Sequence, residues 1–140
     1  DTGIGNNLTA VPSNQSVSGT TITLTAVSVM NFGDIGYLNS NGNIAFGDAD
    51  AIANSSCITM AGQTFAASGS GTFLLNGIAR NDVWNWTAGG LIYLTVTATT
   101  GNTLSQTAPT GTDDVVQIVG VAMAANSLYF NPQLVQVEHV

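Results

Sequence analysis

The acidic side chains are the residues of this chain whose type and spacing could support chemistry. Asp48 and Asp50 form a D-x-D pair, and Asp113 and Asp114 are adjacent. Glycoside hydrolysis needs two carboxylates that face each other across a cleft, and calcium needs several oxygens that converge on one point. Neither pair has the spacing of an EF-hand loop. We therefore interpret both pairs as capping or turn residues, with a calcium site as the alternative.

Other reactive side chains are few. His139 is the single histidine and lies beside Glu138, in a segment that we expect to be an edge strand and not the setting of a Ser-His-Asp triad. Cys57 is the single cysteine, so we expect a small buried hydrophobic residue and no internal disulfide. No G-x-S-x-G motif and no glycine-rich phosphate loop occur. The sequence therefore predicts no enzyme, no cofactor and no metal site.

Two tryptophans form the most distinctive aromatic pattern. The segment DVWNW at residues 82–86 alternates, so Trp84 and Trp86 lie on one face if the segment is extended. Such a pair can close the end of a β-core or fill a subunit interface, which is the interpretation we favour. A platform on which sugar rings stack is the alternative. Arg80 is near enough in sequence to pair with Asp82 or to stack on an indole.

Charge is scarce along the whole chain. Its 140 residues include one Lys or Arg and eight Asp or Glu, so the formal net charge is −7 and charged residues are 6% of the total. A typical soluble domain has about 25% charged residues. Phosphate backbones and anionic lipids are bound through Lys and Arg, so we expect neither nucleic acid nor membrane as a partner. A neutral surface of Thr, Ser, Asn and Gly suits packing against further copies or against a larger body.

The residue pattern predicts an N-terminal arm followed by one folded unit. Residues 1–19 are polar and lack a clear period, so we expect an extended arm, which could lie along a neighbouring subunit. Residues 20–140 form the predicted single β-domain, and the 44% hydrophobic content of the chain is enough for a core. The tripeptide Phe-Gly-Asp occurs twice, at residues 32–34 and 46–48, which is too little for a solenoid.

Within the domain, the pattern predicts short strands joined by turns. Residues 21–26 alternate as in a half-buried strand, and the slip in phase at residues 27–29 indicates a bulge or a strand that changes sheets. Asn-Gly within residues 39–43 indicates a hairpin. Residues 48–55 are the one helical candidate, with Asp48 as N-cap. Residues 115–121 are apolar on both faces and should form a central covered strand.

The fold class that follows is all-β. We expect a compact sandwich or barrel of about ten short, mostly antiparallel strands, with at most one short helix. The further strands are predicted at residues 57–60, 63–66, 72–78, 91–97, 103–105, 127–130 and 134–137.

Residues 72–140 resemble a segment of bacteriophage structural proteins. The resemblance rests on three motifs in a fixed order: W-N-W-T-x-G-G at residues 84–90, Q-T-A-P at residues 106–109 and F-N-P at residues 130–132. Proteins of this kind are described as head fibre, capsid decoration or tail fibre proteins. The first half of the chain shares with them only a general pattern, a polar leader followed by strands that contain Gly-Asp.

The resemblance implies a non-enzymatic β-domain of the virion, on the outer capsid surface or on a fibre. It implies a homo-oligomer, with a trimer favoured, whose partner is the major capsid protein or another virion protein. No catalytic residues carry over. The alternative function is a glycan-binding module of a phage fibre that uses Trp84 and Trp86, with Arg80 as a further interface or glycan contact.

Overall fold

The computed structural model describes residues 7–139, without the side chains of residues 97 and 98. Eleven strands lie in this part of the chain, and a single 3-10 turn over Ile52–Asn54 is the helical element found there. The prediction of an all-β fold is therefore confirmed. The strands are β1 (Ser16–Thr25), β2 (Ile35–Leu38), β3 (Ile44–Phe46), β4 (Thr59–Ala61), β5 (Ser70–Arg80), β6 (Leu91–Thr99), β7 (Asn102–Ser105), β8 (Val115–Val116), β9 (Ile118–Ala124), β10 (Ser127–Phe130) and β11 (Val137–Glu138).

Nine of the described strands form one antiparallel sheet. Its order is β3-β2-β4-β5-β10-β9-β6-β7, and β1 pairs with β5 beside this path. The two ends of the path approach each other, since the Ala49 amide donates to the Thr95 carbonyl over 2.8 Å and the Ile35 amide donates to Thr103 Oγ1 over 2.9 Å. The sheet is therefore a nearly closed barrel, and β8 and β11 form a separate two-stranded sheet.

Strand β5 is the centre of the structure. β1 pairs with it along its whole length, while β4 and β10 share its opposite edge. Phe73 and Leu74 are adjacent and fully buried, and they point into two different cores. The larger core includes Ile35, Met60, Leu74, Ile92, Leu94, Val119, Leu128 and Phe130. The smaller core consists of Ala26, Met30, Ile44, Ala61, Phe65 and Phe73.

The slip in phase after residue 26 marks the end of β1. The strand stops at Thr25, and the chain then crosses the smaller core, where Ala26 and Met30 are buried. The predicted bulge at residues 27–29 is therefore not there. The register shift between β1 and β5 lies at Thr20 and Thr21. The slip in the sequence is the point at which the chain leaves one partner strand for other neighbours.

Strand pairing begins inside the predicted N-terminal arm. β1 starts at Ser16, and the residues before it contact the domain: the Thr9 amide donates to Ser18 Oγ over 2.8 Å, and the Pro12 carbonyl accepts a hydrogen bond from Arg80 over 3.1 Å. The first six residues of the predicted arm lie outside the described residues. No helix among residues 7–139 has the length and hydropathy needed to cross a membrane.

The hairpin predicted at residues 39–43 is confirmed and joins β2 to β3. Asn39 Oδ1 accepts hydrogen bonds from the amides of Asn41 and Asn43, each over 3.0 Å. Gly42 has φ 81°, a left-handed conformation that glycine adopts without strain. The turn chemistry of the sequence therefore fixes this connection locally.

The predicted helix at residues 48–55 is reduced to the 3-10 turn Ile52–Asn54. Asp48 is not its N-cap: that position is Ala51, which makes no side-chain capping bond. Asp48 Oδ1 instead accepts a hydrogen bond from the Asp50 amide over 2.9 Å. An aspartate that bonds the backbone two residues onward favours a turn over a helix start.

The predicted central strand at residues 115–121 is wrong as a single element. It is divided at Gln117 into β8, which pairs with β11, and β9, which pairs with β10 and β6. The Gln117 side chain is fully buried and bonds backbone groups outside either sheet. The division lets the chain pass from the small sheet to the large one.

Candidate functional site

The two tryptophans lie together in the loop between β5 and β6. Their ring centroids are 5.7 Å apart and their planes differ by 46°. The Trp84 ring also lies 6.1 Å from the Phe32 ring. Both indoles are partly buried and pack against the larger core. The pair therefore packs on the larger core, and its two rings are tilted and not coplanar.

Gly33 makes room for the Trp84 ring. It has φ 91°, and a Cβ at this position would lie 2.5 Å from Trp84 Cζ2. A side chain would therefore displace the indole. In the first Phe-Gly-Asp tripeptide, Phe32 packs beside the indole, Gly33 lies under it and Asp34 follows directly. The tripeptide is thus part of the tryptophan site, a role that the sequence did not reveal.

Asp34 is a buried carboxylate with three donors around it. The Asn31 amide donates to Oδ2 over 2.9 Å, the Gly101 amide donates to Oδ2 over 2.9 Å, and the Thr103 hydroxyl lies 3.5 Å from Oδ1. Burial raises the pKa of Asp34, and the hydrogen bonds from Gly101, Asn31 and Thr103 oppose part of that rise. The side chain ties the loop before β2 to the turn between β6 and β7.

A cavity of about 230 Å³ lies between the indoles and Asp34. Its wall combines aromatic faces with amide, hydroxyl and carboxylate groups. Trp86 Nε1 is buried and has no hydrogen-bond partner among the described residues. Such a wall has the chemistry to contact a polyol, although the carboxylate is already hydrogen-bonded. The main lining residues are Asn31, Phe32, Asp34, Asn81, Trp84, Trp86 and Thr103.

Arg80 fastens the N-terminal segment to the domain. Its Nε donates to Asp82 Oδ1 over 2.8 Å, and its Nη1 donates to the Pro12 carbonyl over 3.1 Å. The Asp82 amide in turn donates to Asn14 Oδ1 over 2.8 Å. The predicted pairing of Arg80 with Asp82 is therefore confirmed. The guanidinium is held by this carboxylate and a backbone carbonyl, and these bonds replace the predicted stacking on an indole.

Asp113 and Asp114 belong to the turn before β8. The Gly111 amide donates to Asp114 Oδ2 over 2.8 Å, and Asp113 has φ 67° in the turn before β8. Within residues 7–139, no three His, Cys, Asp or Glu side chains are grouped so that they could hold a metal ion. His139 pairs through its backbone with Asp113 and Asp114, which extends the small sheet. The interpretation of both Asp pairs as turn residues thus fits their geometry.

Cys57 and Gln117 form a buried pair that the sequence revealed only in part. Cys57 is buried, as predicted, and burial raises the pKa of its thiol. Gln117 Oε1 accepts a hydrogen bond from the Cys57 amide over 3.0 Å, and its Nε2 donates to the Cys57 carbonyl over 2.9 Å. Nε2 also donates to the Gln133 carbonyl over 2.8 Å. A lone Gln within an apolar run was the available signal for this contact.

No protein-family model, no curated protein and no solved structure matches this chain. The resemblance of residues 72–140 to phage structural proteins therefore stays a prediction from the sequence.

Proposed function

We propose that this chain is a non-catalytic structural protein of a bacteriophage particle, a capsid decoration or head fibre domain that sits on the outer capsid surface as a homo-oligomer. The observation that carries the proposal is the placement of charge. Within the described strands, Arg80 and Glu138 are the only charged residues, and each is the last residue of its strand. The faces and edges of the sheet therefore meet a neighbour without burying charge.

The outer face of the sheet gives this surface an apolar row. Leu91, Val121, Tyr129 and Ile78 are directly paired across β6, β9, β10 and β5. They point away from the larger core; Leu91 and Val121 are 40% and 36% exposed, Tyr129 is partly buried and Ile78 is buried. An uncharged apolar row on a sheet face is suited to a subunit contact. The resemblance supports three copies, with the major capsid protein or another virion protein as the further partner.

The carboxylates support a structural role because they accept hydrogen bonds within the fold. Asp34, Asp48, Asp82 and Asp114 each accept a hydrogen bond from a backbone amide or a neighbouring side chain. A catalytic pair needs two carboxyl groups that face a common substrate. These side chains instead stabilise their own loops and the contact with the N-terminal segment.

The first test is the mass of the purified chain in solution, measured by light scattering. We expect a defined oligomer of the 14.3 kDa chain, with three copies as the number that the resemblance implies. The uncharged apolar row is the physical reason, because its burial removes apolar surface from water without desolvating charge. A chain that stays monomeric at every concentration tested would contradict the oligomer.

The location on the particle needs a separate readout. Antibody against the purified chain, coupled to gold, should label the capsid surface of intact phage particles in electron micrographs. Antibody absorbed with the purified chain is the control. Particles that stay unlabelled while the antibody binds the free chain would contradict a virion role, and label on the tail would contradict the capsid position.

A glycan-binding module is the second candidate, and the cavity beside Trp84 and Trp86 favours it. The wall presents two indoles together with Asn31 and Asn81, which is the mixture that sugars contact. If a polysaccharide binds there, its addition should shift the intrinsic tryptophan fluorescence, and Trp84→Phe should reduce the shift. Unchanged, blue emission over the whole titration would support burial and contradict binding.

A further inference from the structure

The outer edge of β1 is the longest open edge of the described sheet. β1 pairs with β5 over ten residues, and no other described strand pairs with it. In an antiparallel sheet, alternate residues of an edge strand point their N–H and C=O groups away from the sheet. About half of the backbone groups of β1 are therefore directed at whatever lies beside it.

Edge strands are normally protected by short length, charge, proline or a bulge. The other two edges follow this rule: β3 has three residues and bridges Ala26, and β7 has four. β1 has the sequence SVSGTTITLT, without a charge or a proline. Its register shift places the extra residue, Leu75, on β5, so the alternation of β1 itself is unbroken.

The open length of β1 is residues 19–25. At its beginning the strand contacts the preceding segment, since the Thr9 amide donates to Ser18 Oγ and Ser16 Oγ donates to the Ser13 carbonyl. Beyond this point the strand is exposed through residue 23 and partly buried at Leu24 and Thr25. Ile22 lies at the centre of the open length and is 40% exposed.

We propose that β1 pairs in antiparallel fashion with β1 of a second copy of this chain, over residues 19–25 and about a twofold axis at Ile22. In this register Ile22 faces its own copy, Thr21 faces Thr23, and Gly19 faces Thr25. The contact joins apolar and threonine side chains, which are pairs that stabilise antiparallel strands. A twofold axis makes the contact self-complementary.

The uncharged edge of β1 is the part of this acidic chain that can accept a second copy. The chain carries a net charge of −7, so two copies repel each other wherever their acidic loops meet. β1 contributes no charge, and the nearest ion pair is Arg80 with Asp82, beside the first residue of the strand. Two copies can therefore approach edge to edge while their carboxylates stay apart.

The proposal rests on the oligomer of the proposed function and adds a twofold contact to it. Twofold pairing joins copies in even numbers. It gives a dimer if it acts alone, or a hexamer if it joins two trimers through their edges. Disrupting it must therefore halve the measured mass.

Cross-linking tests the register directly. Opposed residues of antiparallel strands have Cα atoms about 4.5–5.5 Å apart, which is within the range of a disulfide. Ile22→Cys should therefore form a disulfide-linked pair of chains under mild oxidation. Cys57, the native thiol, is buried and does not compete. The control is Val29→Cys, since Val29 is 48% exposed and lies outside β1. Equal cross-linking of the two variants would overturn the proposal.

The mass of a charged edge variant gives the second readout. Thr23→Lys places two like charges across the twofold axis and should halve the mass measured by light scattering. Thr64→Lys adds the same charge at an exposed position outside β1 and should leave the mass unchanged. Circular dichroism of both variants checks that they are folded. A trimer that Thr23→Lys leaves intact, without an Ile22→Cys cross-link, would overturn the β1 contact and leave the proposed function standing. A native chain that is monomeric at every concentration tested would contradict both.

Discussion

Gln117→Leu is expected to lower the free energy of unfolding by about 3–6 kcal/mol, a large part of the about 5–15 kcal/mol typical of a folded domain. The reason is the set of backbone groups that the amide satisfies. Leucine has a similar volume but leaves the amide and the carbonyl of Cys57, and the carbonyl of Gln133, without the partner that they have now. The two Cys57 groups are buried and cost about 1–3 kcal/mol each when unpaired, and the Gln133 carbonyl, on an exposed residue, costs less. Urea denaturation followed by circular dichroism measures the loss.

Gln106→Leu is the matched control. Gln106 Oε1 accepts from the Thr87 amide over 2.8 Å, and its Nε2 donates to the Thr87 carbonyl over 2.9 Å. Gln106 therefore bonds both backbone groups of one residue, as Gln117 does with Cys57. These bonds are exposed, and water can replace them. We expect a loss of at most about 1 kcal/mol. Similar losses for the two variants would show that burial is not what makes Gln117 important.

Gln117→Glu separates hydrogen bonding from packing. The carboxylate can still accept from the Cys57 amide, but it would face the carbonyls of Cys57 and Gln133 without a proton. Burial and these oxygens should raise its pKa above the ordinary value of about 4.3. Because the folded pKa is the higher one, the variant is most stable below the unfolded pKa and loses stability as pH rises through the folded pKa. A deficit relative to the native chain that does not change with pH would point to packing alone.

Gly77→Ala is expected to destabilise the fold by about 2–5 kcal/mol, because backbone strain and steric overlap act together. Gly77 lies opposite Gly19 in the β1–β5 pair and has φ 148°. A Cβ at this position would overlap the Ser18 carbonyl oxygen and lie 2.7 Å from Gly19 Cα. Both neighbours are backbone atoms of the central strand pair, so neither can move independently. Thermal denaturation should show a large fall in Tm.

Gly42→Ala isolates the contribution of the backbone angle. Gly42 also has a positive φ, 81°, but a Cβ there would meet no atom within 4 Å. The expected cost is only the strain of the left-handed conformation, about 1–2 kcal/mol. The difference between the two variants measures the close approach of β1 and β5. If Gly42→Ala costs as much as Gly77→Ala, the close approach contributes nothing.

The sequence was sufficient where neighbouring residues determine the structure. The hairpin at residues 39–43 follows from Asn-Gly between apolar pairs, and the ion pair of Arg80 with Asp82 joins residues that are two positions apart. The strands β5, β6 and β10 follow from local alternation. In each case the interaction lies within a few residues, so a pattern in the sequence records it.

The sequence was insufficient where the partner is remote. The predicted strand at residues 115–121 is divided at Gln117, whose side chain bonds Cys57. Because Cys57 is 60 residues away, the local sequence pattern does not record this contact. Asp34 likewise bonds Gly101 at a separation of 67 residues. The Phe-Gly-Asp tripeptide at residues 32–34 gave no sign that its glycine accommodates Trp84. Only the folded chain brings these groups together.

The pairing of Arg80 has a consequence for exposure to proteases. Trypsin-like enzymes cleave after Lys or Arg, and this chain contains one such residue. The bond after Arg80 lies at the end of β5, where Ser16 and Ser127 flank the strand and the Asn81 amide donates to the Asn126 carbonyl. Cleavage requires an extended, accessible segment. The folded domain therefore offers no accessible bond to such an enzyme.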